Sequence, residues 1–157
     1  MWTLFNSQSQ SAAPVRPTDL SISLVAVVIA ALILRGASPA RQIEKKQAAL
    51  LVGIEKRSRS RVEKLIAEDY LDRWEFDKED AVTTFLDVGS QFIILAVEAV
   101  DTETVIADGQ ATVTSRLQVS GNGGPIAQLV IKRTNKLKAP FVFHWQKTSW
   151  WPGSWRL

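Results

Sequence analysis

The sequence predicts an α+β domain behind an N-terminal transmembrane helix: a long helix and a short helix packed on a curved antiparallel sheet of four to six strands. Three observations carry this. Residues 20–34 form an uncharged apolar run interrupted only by two serines. From residue 41 to about residue 90, apolar positions recur at three- and four-residue steps, the period of one helix face. From residue 91 onward the period shortens to two, that of strands with one packed face. A chain of 157 residues leaves room for one domain after the apolar run.

The apolar run reads first. Counted from Thr18 to Ala37 it approaches the roughly 20 residues a helix needs to cross a bilayer of about 30 Å. Asp19 and Arg35 would then lie at headgroup level, with the arginine snorkelling outward. A cleaved signal competes with this reading, because Arg16 supplies some upstream charge and Ser38-Pro39-Ala40 resembles a cleavage site. A buried helix is a third reading, but the remaining chain offers little core to surround it. The expected organisation is a disordered Ser/Gln/Pro leader at 1–17, a transmembrane anchor at 18–37 and a folded domain at 41–157. That makes the protein a single-pass cell-membrane protein. Basic residues after the run (Arg35, Arg41, Lys45, Lys46, Lys56, Arg57, Arg59) outnumber Glu44 and Glu55, so the positive-inside bias puts the domain in the cytoplasm. The absence of cysteine excludes a disulfide framework.

Within the domain, Ile43, Leu50, Leu51, Ile54, Val62, Leu65, Ile66 and Tyr70 share one face of a helix expected over 39–69, in which Gly53 marks a kink or a close packing partner. Asp77 is the N-cap of a second helix, with Asp80 in the capping-box position and Gly89 as its stop. Strands are expected at 92–100 and 102–107, with Asp108-Gly109 as a turn. The alternation of Ala111, Val113, Ser115, Leu117 and Val119 with polar residues gives the next strand. The segment 121–125 reads as a loop, 126–132 and 141–148 as strands, and 155–157 as a terminal pairing.

Charge is divided along the chain. Residues 1–70 carry +4, residues 71–130 carry −7 and residues 131–157 carry +6, so the formal total of +3 conceals a strongly polar molecule. Lys132, Arg133, Lys136 and Lys138 form a basic stretch suited to anionic lipid headgroups or an acidic protein. Nucleic acid fits less well, because aromatic residues are poorly interleaved with these charges. Trp145, Trp150, Trp151 and Trp155 crowd the last thirteen residues, and with the basic stretch they form the candidate binding surface. His144 is the single histidine and the candidate general base if a carboxylate orients it. On a strand it shares a face with Val142 and Gln146, opposite Phe141, Phe143 and Trp145. Tyr70 and Asp72 are further weak catalytic candidates. One histidine and no cysteine argue against a zinc site, and no calcium-loop pattern occurs, so no metal and no cofactor is expected.

The helix ending Ile66-Ala-Glu-Asp-Tyr70, the second helix Asp80-Ala-Val-Thr-Thr-Phe85 and the turn-and-strand Val105-Ile-Ala-Asp-Gly-Gln-Ala-Thr-Val-Thr114 together resemble the NTF2-like (cystatin-like α+β) superfamily over about residues 41–157. The resemblance implies a cone in which a curved sheet wraps a long helix. Its enzymes place a His/Asp or Tyr/Asp pair inside the cone, and its other members serve in dimerisation and assembly. Here Tyr70 and His144 match none of the catalytic patterns. An anchor followed by such a domain is similar to assembly proteins of bacterial secretion machines, a layout that puts the domain outside the cytoplasm, against the flanking charge. The expected function is therefore a membrane-anchored, non-catalytic binding or scaffold subunit of a larger assembly, with a protein partner or a second copy. Enzyme activity is not expected. The alternative is a small-molecule pocket enzyme of the isomerase or dehydratase type using His144.

Overall fold

Ser38 opens the first helix. Its side chain accepts a hydrogen bond from the Arg41 amide and Pro39 occupies the first turn, so α1 (Pro39–Glu55) starts with one orphan donor capped and one removed. The computed structural model describes residues 38–151 and 153–157. Ile43, Gln47, Leu50 and Leu51 are the buried face of α1. The helix does not run on to residue 69 as its apolar period suggests. Arg57 adopts a positive φ of 51°, and a separate short helix α2 (Arg59–Glu63) follows. Gly53 explains how close the two helices come, since a Cβ there would meet Val62 Cγ2 at 3.1 Å. The apolar face stays continuous across the break because Val62, Leu65 and Ile66 remain buried.

Asp77 caps α3 (Lys78–Ser90) by accepting from the Asp80 amide, and Glu79 and Asp80 favour the positive end of the helix dipole. A long ribbon comes next, β1 (Phe92–Ala107) and β2 (Gln110–Gly123). The two strands expected in its first half are one strand with a register shift between Val100 and Glu103, where Asp101 takes a φ of 51°. Asp108 and Gly109, both with positive φ, close the ribbon as a two-residue hairpin turn. The segment expected as a strand at 126–132 is instead helix α4 (Pro125–Lys136), with Pro125 in its first turn and Arg133 and Lys136 in its last. Strands β3 (Phe141–Lys147) and β4 (Trp155–Arg156) complete a four-stranded antiparallel sheet in the order β1-β2-β3-β4.

β3 pairs only with residues 110–115 of β2, so the rest of β2 extends past it and α4 packs there. Two apolar clusters result. The first joins Ile43, Leu50, Val62, Ile66 and Val82 to Ala111, Val113, Trp145 and Trp155 on the inner face of the sheet. The second is smaller, with Phe92, Val119 and Ala127 flanked by Leu95, Val97, Val130 and Ile131.

The expectation of a transmembrane helix is corrected. Among the described residues no helix is long and apolar enough to cross a membrane; α1, at 17 residues, has Arg41, Glu44, Lys45 and Lys46 along it. The membrane partner and the single-pass membrane location rested on that expected helix, and no helix among the described residues supports them. The leader at 1–17 and the anchor at 18–37 lie outside the described residues.

Candidate functional site

The sequence-predicted residues separate in space. His144 is exposed on the outer face of β3, opposite Thr112 in register. Its Nδ1 lies 3.3 Å from Thr112 Oγ1, and among the described residues no carboxylate is bonded to it. It therefore has neither the enclosure nor the orienting group a general base requires. Tyr70 is half-buried against the first cluster. Burial, and secondarily the nearby Asp72 carboxylate, pushes its phenol above the usual range. Asp72 has a structural duty: its Oδ1 accepts from the amides of Trp74 and Phe76 at 2.7 and 2.9 Å, which shapes the turn before α3.

The four tryptophans also divide. Trp145 and Trp155 are 1% and 2% exposed, so they belong to the core and not to a binding surface. Their indole N–H groups are satisfied inside, Trp145 by Gln47 Oε1 at 3.0 Å and Trp155 by Gln42 Oε1 at 3.1 Å. Trp150 and Trp151 are exposed and stack on each other with centroids 4.2 Å apart. Their loop is braced by Ser154, whose hydroxyl donates to the Ser149 carbonyl and accepts from the Ser149 amide. Lys132, Arg133 and Lys136 are exposed on α4 and Lys138 just beyond it. The basic and aromatic halves of the expected surface thus sit on different elements.

A different constellation lines an open cleft of about 360 Å³, most of whose residues are exposed. Its wall is the β1–β2 ribbon beside the second cluster. Ala96 faces Ser120 and Glu98 faces Gln118 in register, with Val97 and Val119 between them. Glu55 and Asn135 also line it, and each satisfies a strand edge that has no neighbouring strand. Glu55, the last residue of α1, accepts the Val97 amide on Oε1 at 2.8 Å. Asn135, near the end of α4, accepts the Val119 amide at 2.8 Å and donates to the Val119 carbonyl at 2.9 Å. The side-chain amide of Asn135 thereby stands in for the backbone of a missing strand. A second cavity of about 50 Å³ shares Gln118 and Asn135 and continues toward Arg116 and Phe141.

None of these cavity residues was a candidate from sequence. They come from four elements, and no local motif joins them. One signal was present. Glu55 puts a carboxylate at the carboxyl end of a helix, where the backbone's partial negative charge disfavours it. An acid in that place asks for a partner elsewhere, and the Val97 amide is that partner.

No protein-family model and no curated protein sequence matches the chain. Solved structures do. A putative dehydratase of the NTF2-like family from Streptomyces avermitilis aligns with a TM-score of 0.52 at 12% identity, over 74% of this chain and 88% of that one. An NTF2-like protein from Cytophaga hutchinsonii gives 0.53 at 15%, over 76% and 92%. A putative scytalone dehydratase from Novosphingobium aromaticivorans gives 0.50 at 13%, over 74% and 77%. Identities this low speak to architecture alone, and what is shared with these NTF2-like structures is an α+β fold with a curved antiparallel sheet.

Proposed function

We propose that the domain is a small-molecule pocket enzyme of the dehydratase or isomerase type, working in the 360 Å³ cavity with Glu55 as its acid/base group. This replaces the expected non-catalytic, membrane-anchored scaffold. Among the described residues no helix is long and apolar enough to cross a membrane, and the dehydratase names among the fold relatives favour a pocket reading. It also moves the chemistry away from His144, which sits on the outer face of the sheet.

The observation that carries the proposal is the Glu55 carboxylate held at the cavity wall by the Val97 amide. One oxygen is fixed by that bond, which orients the group and leaves the other oxygen for a ligand. A carboxylate held this way suits removal of a proton from carbon next to a carbonyl. In a dehydration, the C–H electron pair becomes the new double bond as the neighbouring hydroxyl leaves. The proton on Glu55 departs with that hydroxyl as water, and the carboxylate is restored. In an isomerisation the same proton returns to a different carbon.

The test is a panel of β-hydroxy ketones followed by the ultraviolet absorption of the conjugated product, with wild type and Glu55→Gln side by side. The glutamine still accepts the Val97 amide, so the fold should hold while turnover falls about 10²–10⁴-fold. Turnover unchanged in Glu55→Gln, or no compound in the panel shifting the Val97 and Val119 amide resonances, would remove the proposal.

A further inference from the structure

Two exposed surfaces away from the cleft are opposite in charge and alike in presenting apolar side chains. The first is the loop before α3, where Leu71 is 66% and Trp74 65% exposed, with Phe76 beside them at 39%. The backbone fixes this display. Leu71 bridges to Asp77, the Asp72 amide donates to the Phe76 carbonyl, and Asp72 Oδ1 accepts from the Trp74 and Phe76 amides. Glu75 stands at a φ of 65°, which a non-glycine residue keeps only where its surroundings hold it. Residues 68–80 carry seven acids against Arg73 and Lys78, a net of −5. Both cations are engaged locally, Arg73 over the Trp74 ring and Lys78 on Glu68. The second surface is the outer side of α4. Ala127 turns inward and Asn135 ties the helix to β2, while Ile126, Leu129, Arg133 and Lys136 are exposed at helical spacing. Residues 125–138 carry four cations and no acid.

We propose that these surfaces are the two halves of one interface, through which the acidic aromatic loop of one copy of this chain docks on the basic α4 of the next. Charge complementarity selects a second copy as the occupant: each surface has the sign and the apolar side chains that the other lacks a partner for. A single chain cannot join its own two halves. Asp69, in the loop segment, accepts from Gln146, which pairs with Gln110 at one end of β2. Asn135 of α4 bonds Val119, toward the other end. At about 3.3 Å per residue the strand between them spans on the order of 30 Å. The contact is therefore heterologous, and copies add head to tail into an open series or close as a ring. Trp74 and Arg133 are residue types on which such contacts concentrate their energy, while the opposed charges set partner and orientation. The loop is already shaped for docking, so little ordering entropy opposes it.

The test is the mass of the full-length chain in solution, by sedimentation equilibrium over a range of concentrations. Mass should rise with concentration, and raising salt from about 0.05 to 0.5 M should weaken the association several-fold. Two double variants each remove one half: Trp74→Ala with Glu75→Gln, and Arg133→Gln with Lys136→Gln. All four residues are exposed, so far-ultraviolet circular dichroism should match wild type while each variant alone runs as a monomer. Mixed in equal amounts, the two should form a species of twice the monomer mass and no larger, because each retains the half that the other has lost. A wild type that stays monomeric at every concentration overturns the proposal and leaves the surfaces to different molecules. Association that survives in both variants overturns the choice of surfaces. Failure of the mixture to pair overturns the head-to-tail arrangement.

Discussion

Where α1, α2 and α3 meet the inner face of the sheet, eleven side chains pack into one cluster that includes two whole indoles. At the far end of the β1–β2 ribbon the cluster has three buried members, Phe92, Val119 and Ala127, under a single helix. The first region is held by apolar burial, with each indole N–H tied to a glutamine of α1. The second is held largely by polar side chains that complete unpaired strand edges, Glu55 on Val97 and Asn135 on Val119. Burial scales with area and is hard to undo locally, whereas an edge completed by one side chain opens when that side chain lets go. The cavity lies in the second region. The division of labour is therefore a rigid half that sets the sheet and a less firmly held half that carries the cleft.

The largest effect is expected in the first region. Trp145→Ala should cost about 3–5 kcal/mol, read as a lower urea midpoint for the whole domain. Trp145→Phe keeps most of the ring but leaves Gln47 Oε1 without its donor. That residue already has an unpartnered Nε2 in the core, so the loss there should still be about 1–3 kcal/mol. If Trp145→Ala costs no more than a change in the second region, the contrast between the halves is wrong.

A middle-sized effect belongs to Asn135. Asn135→Ala strands both the N–H and the C=O of Val119 and should cost about 1–3 kcal/mol. The loss should be local. Amide hydrogen exchange should quicken in residues 116–123 of β2, while residues 110–115, paired with β3, keep their protection. Uniform loss along the strand would mean that the two halves open as one unit.

The contrast also separates what could be read in the sequence from what could not. The first region was legible because its pieces announce themselves locally. Ile43, Leu50 and Val62 keep helical period, Ala111 and Val113 alternate, and Asp77 and Asp108-Gly109 mark a cap and a turn. Even there the break at Arg57 was invisible, since α2 continues the apolar face of α1 across it. In the second region, Ile126-Ala-Gln-Leu-Val-Ile131 is rich in β-branched residues and suggests a strand. The overriding signals were Pro125 at the helix start and basic residues in the last turn, which are weaker than periodicity but pointed the right way. The cavity was less legible still. Glu55 and Asn135 reach Val97 and Val119 only because the ribbon outruns β3 and two side chains fill the gap, a fact of register and not of motif. The aromatic tail misled for a related reason. Trp145 and Trp155 look like Trp150 and Trp151 in sequence, and only the pairing of β3 with β2 and β4 decides which rings turn inward.

The smallest predicted effect probes how closed the first region is at its margin. Tyr70 is the single tyrosine of the chain, so its ionisation can be followed optically without interference from another phenol. Burial is the larger cause of its raised pKa and the Asp72 carboxylate the smaller. The titration midpoint should therefore lie above the usual value of about 10. Asp72→Asn should lower it part of the way only, because the amide oxygen can still hold the Trp74 and Phe76 amides and the burial remains. A phenol raised in the folded state gives stability that is fully present below its ordinary pKa and is lost as pH rises through the folded value. Lys46 runs the other way. Burial first, then Arg156, lowers its pKa, so its contribution is present above the usual lysine value and is lost as pH falls through the folded one. The two partly cancel in a stability profile at alkaline pH, which is why the optical titration is the sharper measurement. A Tyr70 midpoint at 10 in the folded protein would mean that water reaches the ring freely, and the first region would then be open at the edge where Tyr70 closes it.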